Sequence, residues 1–180
     1  MTTPNPFELL GFPLRFDISK KDIDARLRDL SKVLHPDRHT QAPVNERRAA
    51  LNRAIGMNEA VRVLKDPVSR GHALLAVLEA APSDEARVDQ LFLLEVMELR
   101  EALTAAQSAA DQTAVRDLGQ RALAAERAVV SDLTEHFAAL ETAGAERRGA
   151  VRELIQAGLA KLKYWQRLTE EVKRIEAEQD

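Results

Sequence analysis

Hydrophobic positions recur at helical spacing along nearly the whole of this 180-residue chain. Ile23, Leu27, Leu30 and Leu34 stand at i, i+4, i+7 and i+11, which predicts a helix over 20–34 with one apolar face. A short helix over 5–10 precedes it, with Phe7 and Leu10 facing inward and Gly11-Phe12-Pro13 as its stop. After Pro43, a third helix is predicted over 44–64, its stripe made of Leu51, Ala54, Ile55 and Val61, with Asn58 on the same face. Lys65-Asp66-Pro67 interrupts the pattern, which resumes over 68–78; Ala80-Ala81-Pro82-Ser83 then reads as a linker with Ser83 a candidate N-cap. Three longer helices follow. The first, over 85–107, carries Phe92, Val96, Leu99 and Leu103. The second, over 113–140, carries Val115, Leu118, Ala122, Val129, Leu133, Phe137 and Leu140. The third, over 145–177, carries Val151, Leu154, Ile155, Leu162, Trp165 and Val172. Short connections make antiparallel neighbours of these three, so the fold class is all-α and the second half is a three-helix bundle.

Composition supports this reading. Gly and Pro number seven each and aromatics are 4%, a bias towards helix and away from sheet. No cysteine is present, so disulfides, a thiol nucleophile and thiolate metal sites are excluded. The net charge of −3 argues against a generally basic nucleic-acid binder. The charge is unevenly divided: residues 1–80 hold 13 Lys and Arg against 10 Asp and Glu, while residues 81–180 hold 13 against 19. The longest apolar run, Ala73 to Leu78, is six residues, and Leu91 to Leu94 is four; both are far short of a membrane span. Met1 to Asn5 lacks the character of a signal or transit peptide, so the cytoplasm is the expected location.

The stretch that carries most information is Leu34-His35-Pro36-Asp37-Arg38. Pro36 stops the second helix and disfavours helical backbone at His35, and Asp37 is a turn-former, so the three residues form an exposed loop. Lys21, Arg28 and Lys32 cluster on the face opposite the apolar stripe, Arg26 flanks them, and Arg38 extends the charge past the turn. Ahead of the helix, Ser19 with Asp22 reads as a capping box. Alone, the tripeptide describes no more than a Pro-terminated helix with a solvated charged face. With Phe7–Gly11 before it and Met57–Leu64 after it, the assembly resembles the J-domain, in which a His–Pro–Asp loop between antiparallel helices engages a DnaK-type ATPase.

Asp66-Pro67 followed by Arg70 and the Leu74-Leu75 pair resembles one J-protein family, the HscB co-chaperones of iron–sulfur cluster assembly; Ala73 stands where a Tyr often precedes the pair. The resemblance implies a J-domain over 1–78, a short linker over 79–84 and a bundle over 85–180, in an L-shaped arrangement. It further implies that His35, Pro36, Asp37, Lys21, Arg26, Arg28, Lys32 and Arg38 face a DnaK-type chaperone (HscA or its equivalent) and stimulate its ATPase.

The helix over 85–107 has more apolar surface than a bundle needs. Leu93, Leu94 and Met97 project from a sector away from the core stripe, together with Glu98 and Glu101. Periodicity leaves two readings open, a partner surface or cover for another part of the fold. Phe92–Glu101 is similar to the family segment that presents Leu, Met and Glu side chains to the iron–sulfur scaffold IscU. The resemblance therefore implies scaffold contacts at Leu93, Leu94, Met97, Glu98 and Glu101, joined by Tyr164 of the last helix. Tyr164 lies off the Val151–Leu162–Trp165 stripe and is expected to face outward, whereas Trp165 is expected in the core.

No catalytic machinery is legible. Of His35, His39, His72 and His136, only His35/His39 has a chelating interval, and that pair straddles a Pro turn. Neither Glu-x-x-His nor a Gly-rich phosphate loop occurs. The expected protein is a monomeric adaptor with no catalysis, metal or cofactor of its own and no nucleic-acid or membrane partner. Two alternatives stand beside it: a general J-protein whose bundle binds a different client, and a helical bundle with an enzymatic or metal role.

Overall fold

The protein is described from a computed structural model covering residues 5–33, 43–79 and 88–179. His35, Pro36, Asp37 and Arg38, and all of the expected linker except Glu79, lie outside the described residues. Among those residues the chain is helical and without strands: α1 (Pro6–Leu10), α2 (Lys20–Val33), α3 (Val44–Lys65), α4 (Pro67–Glu79), α5 (Gln90–Ser108), α6 (Gln112–Thr142) and α7 (Ala145–Gln179). Backbone contacts divide it into two compact units, Met1–Pro82 and Ser83–Asp180.

The first unit is assembled around α1. Asn5 caps this helix, its side-chain oxygen accepting from the Glu8 amide at 2.9 Å, and Pro6 takes the first position, where a missing N–H costs nothing. Gly11 ends it at φ 69°, with its own amide on the Glu8 carbonyl and that of Phe12 on the Phe7 carbonyl. Phe7 and Leu10 are thereby turned fully into a core with Phe16, Ile18, Ile23, Met57, Ala60, Val61, Leu64, Leu74 and Leu75. The predicted cap at Ser19 is present: its hydroxyl accepts from the Asp22 amide at 3.1 Å and donates to the Asp22 carboxylate at 2.7 Å.

The stripe predicted for α3 is only half right. Val61 is buried and Ala54 partly so, but Leu51 and Ile55 are 60% and 58% exposed and Asn58 is exposed too. The inward face is Met57, Ala60, Val61 and Leu64. Apolar residues occur all round α3, and the docking of α1 selects this arc.

The Asp66-Pro67 break becomes a helix start. Asp66 accepts from the amide and hydroxyl of Ser69 at 2.8 and 2.6 Å, with Pro67 in the first turn. This sets Arg70 inside the unit, where one guanidinium nitrogen donates to the carbonyls of Leu64 (2.7 Å) and Ile18 (3.2 Å). The guanidinium carbon lies 4.9 Å over the Phe16 ring. Burial lowers the Arg70 pKa from its ordinary value, against the pull of Asp66 and Asp17.

In the second unit α5 begins at Gln90, later than predicted, because Asp89 is its cap: the carboxylate accepts from the Phe92 amide at 2.8 Å. Phe92, Val96, Leu99, Leu103 and Ala106 pack against Val115 and Ala122 of α6 and Trp165, Leu168, Val172 and Ile175 of α7. Helices α6 and α7 have 31 and 35 residues against 19 for α5. At 1.5 Å per residue they are roughly 46 and 52 Å long beside roughly 28 Å. The bundle is therefore three-layered only where α5 lies, and a two-helix hairpin continues beyond it. Leu133, Phe137, Leu140, Ile155 and Leu159 fill the hairpin seam. Leu154, predicted in the stripe, is 51% exposed because, among the described residues, no third helix reaches that far. Glycines allow the close approach: a Cβ on Gly158 would come within 2.8 Å of Leu133, and one on Gly119 within 2.7 Å of Val172.

Candidate functional site

On α2, Lys21, Arg28 and Lys32 project from the outer face and all three are exposed. Lys32 reaches Asp29 at 3.4 Å, but both side chains are largely in solvent, so the pair holds little. Arg26 behaves otherwise. It sits on the flank nearer Ile23, and its Nε donates to the Leu10 carbonyl at 2.7 Å, closing the end of α1. Sequence spacing placed Arg26 with the other cations; the carbonyl that claims it belongs to another helix and could not be read from α2 alone.

On α5, the core stripe Phe92–Val96–Leu99–Leu103 is buried as predicted. The second sector is uneven. Leu94 and Met97 are 54% and 59% exposed, and Glu98 and Glu101 are exposed beside them. Leu93 is half-buried against the core instead. Tyr164 does not face out freely: it too is half-buried, its ring edge-on to Phe92 at 5.9 Å and 76°. Trp165 is in the core, edge-on to the same Phe92 ring at 5.5 Å. Leu91, at 82% exposure, was missed; it opens the four-residue apolar run, and its i+3 and i+7 partners are Leu94 and Glu98.

The start of α5 is tied to α7. Lys161 Nζ lies 3.0 Å from Asp89 and 5.3 Å from the centroid of the Phe92 ring. The Phe92 amide first, and Lys161 second, hold the Asp89 carboxyl below the ordinary carboxylate range. Further along, Arg100 meets Glu171 at 3.2 Å in an open groove that Arg167, Glu170 and Arg174 complete. Among the described residues no cluster of three or more His, Asp or Glu is placed to hold a metal ion, and no helix is long and apolar enough to cross a membrane.

This organisation is shared with known proteins. Residues 88–173, most of α5 to α7, match the family described as the HSCB C-terminal oligomerisation domain. A co-chaperone HscB homologue of Vibrio vulnificus is 33% identical over 175 residues, 96% of both chains. The chain belongs to the HscB co-chaperone family. An HscB homologue of Haemophilus influenzae is 26% identical over 175 residues, covering 96% of this chain and 95% of its own. The solved HscB of Vibrio cholerae superposes with a TM-score of 0.80 at 29% identity, covering 98% of this chain and all of that one. Human HscB, at 22% identity, has the same fold, with a TM-score of 0.78 over 97% of this chain and 83% of its own. The HscB likeness thus spans both units, and the α5 segment lies within the part matched by the family model.

Proposed function

We propose that this HscB-family chain is an adaptor between a DnaK-type chaperone, HscA or its equivalent, and the iron–sulfur scaffold IscU. In this reading residues 1–78 are a J-domain, 79–84 a linker and 85–180 the scaffold-binding bundle. His35, Pro36 and Asp37 touch the chaperone and stimulate its ATPase, while Lys21, Arg28, Lys32 and Arg38 give a salt-sensitive approach. Leu94, Met97, Glu98 and Glu101, with Leu93 and Tyr164 at their margin, bind the scaffold. Holding both partners raises the effective concentration of the client at the chaperone. The protein catalyses nothing itself, carries no cofactor, and works as a cytoplasmic monomer; sedimentation velocity tests the last point against the oligomerisation named in the family description.

The observation that carries this reading is the apolar ridge on α5. Leu94 and Met97 stay in water while a complete core stripe on the same helix is satisfied. The test is steady-state ATP hydrolysis by the chaperone with this protein and the scaffold added separately and together. Stimulation that the scaffold enhances and His35→Gln abolishes is the expected result. Stimulation indifferent to the scaffold would keep the J-domain and assign the bundle another client, the general J-protein alternative. No stimulation in any combination would overturn the reading.

A further inference from the structure

The fold treats the apolar side chains outside the α5 core stripe unequally. Asp89 is the cap, which makes Val88 and Leu93 the two positions a hydrophobic staple uses, and both pack against the core. Leu91, between them, is not recruited. At 82% it is more exposed than Leu94 or Met97. One exposed leucine carries no meaning by itself. Here, however, Leu91, Leu94 and Met97 succeed one another at intervals of three residues, forming a ridge along the exposed side of a single 19-residue helix. Glu95 stands at i+4 from Leu91, Glu98 at i+4 from Leu94, and Glu101 at i+4 from Met97, so every apolar step has a carboxylate one turn on. All three carboxylates are exposed, and none has an ion-pair or hydrogen-bond partner among the described residues.

We infer that Leu91 is the N-terminal anchor of the α5 contact surface, and that the scaffold protein meeting it presents an apolar hollow rimmed by lysine or arginine. The inference rests on the scaffold reading above and adds a residue outside the set implied by family resemblance. Charge complementarity selects the occupant. A neutral or acidic partner closing over the ridge would desolvate three carboxylates that have no cationic partner among the described residues, and only a cationic rim offsets that. Leu91 also has most to gain on contact, since nearly all of its side chain is still in water. The half-buried Leu93 has already given up part of that gain to the core.

The test is calorimetric titration of the purified scaffold protein into the full-length chain and its variants Leu91→Ala, Leu91→Met, Leu94→Ala and Met97→Ala. Leu91→Ala is expected to weaken binding about tenfold, the loss typical of an interface anchor, with its melting temperature unchanged and Leu91→Met close to the parent. Wild-type affinity is expected to fall with added salt, and to fall less steeply in Glu98→Gln/Glu101→Gln. If Leu91→Ala binds like the parent while Leu94→Ala or Met97→Ala weakens, the surface ends at Leu94; the inference fails and the scaffold reading survives. If none of the variants weakens binding, the scaffold reading itself fails. A lowered melting temperature in Leu91→Ala would place the side chain against its own chain and overturn the inference, as salt-independent affinity would overturn the cationic rim.

Discussion

A Cβ on Gly11 would lie 2.7 Å from the Nη2 of Arg26, the residue whose Nε already holds the Leu10 carbonyl. The glycine is required for its left-handed backbone at φ 69°, and a side chain there would also push the end of Arg26 aside. The turn after α5 uses the same pair of bonds without a glycine: the Ala110 amide meets the Gln107 carbonyl and the Asp111 amide meets the Ala106 carbonyl, with Ala110 at φ 53°. Opposite substitutions should thus have opposite signs. Gly11→Ala is expected to destabilise the first unit by about 1–2 kcal/mol, chiefly from left-handed strain, with displacement of Arg26 from the Leu10 carbonyl as the smaller part. Ala110→Gly is expected to stabilise the second by about 1 kcal/mol, because there only the strain is relieved. Urea denaturation of both variants checks the pair, and equal signs would refute the shared motif.

Arg70 supports a second expectation. Arg70 is 6% exposed, and its guanidinium satisfies two carbonyls from different segments, Ile18 and Leu64, while covering Phe16. Arg70→Met keeps apolar bulk but strands both carbonyls. A loss of about 3 kcal/mol is expected, the scale for unsatisfied buried polar groups plus lost packing on the ring. Far-UV circular dichroism during denaturation reads it; a loss below about 0.5 kcal/mol, the level of an ordinary surface change, would mean that the carbonyls find other donors.

Asp89 should make stability depend on pH. Its pKa is lowered in the folded state by the Phe92 amide and then by Lys161, so the stabilisation exists above the unfolded carboxyl pKa and is lost as pH falls through the folded one. Asp89→Asn keeps a capping side chain but removes the charge. Its melting temperature is expected to lie below that of the parent at neutral pH, and the difference to close as the parent is acidified below the ordinary carboxylate range. A difference that persists unchanged in acid would show that the charge contributes nothing.

Much of this architecture was legible in the sequence, and the misses have one physical origin. The stripes of α5 and α6 and most of that of α7 were readable because apolar residues there keep a single helical phase and the partners are long neighbouring helices. On α3 the phase is ambiguous, and the packing of Phe7 and Leu10 favours Met57 and Leu64 over Leu51 and Ile55. Leu154 kept the phase yet is exposed, because the reach of α5 ends before it. On the second sector of α5, Leu93 is half-buried because it packs against a core that α6 and α7 complete, and Leu91 was not singled out. Each miss turns on a contact made by a different element, which periodicity within one helix does not encode.

The same distinction separates two arginines that look alike in sequence. Arg26 and Arg28 are two residues apart on α2, but Arg26 is fastened to the Leu10 carbonyl whereas Arg28 stands on the outer face with Lys21 and Lys32. Under the proposed function, Arg28→Ala is expected to leave the melting temperature within about 1 °C, because solvent-exposed charges contribute little to folding. It should weaken chaperone association several-fold at low salt, through a slower on-rate, with the deficit shrinking as salt screens the partner's field. Arg26→Ala should do the reverse in order of cause. The end of α1 loses its side-chain donor, so stability falls by about 1 kcal/mol, and any change in association should follow the unfolded fraction rather than ionic strength. Thermal melts and chaperone binding measured at two salt concentrations for both variants decide the matter. A salt-dependent binding defect in Arg26→Ala without a stability loss would put Arg26 back among the contact residues, and salt-independent behaviour in Arg28→Ala would remove Arg28 from them.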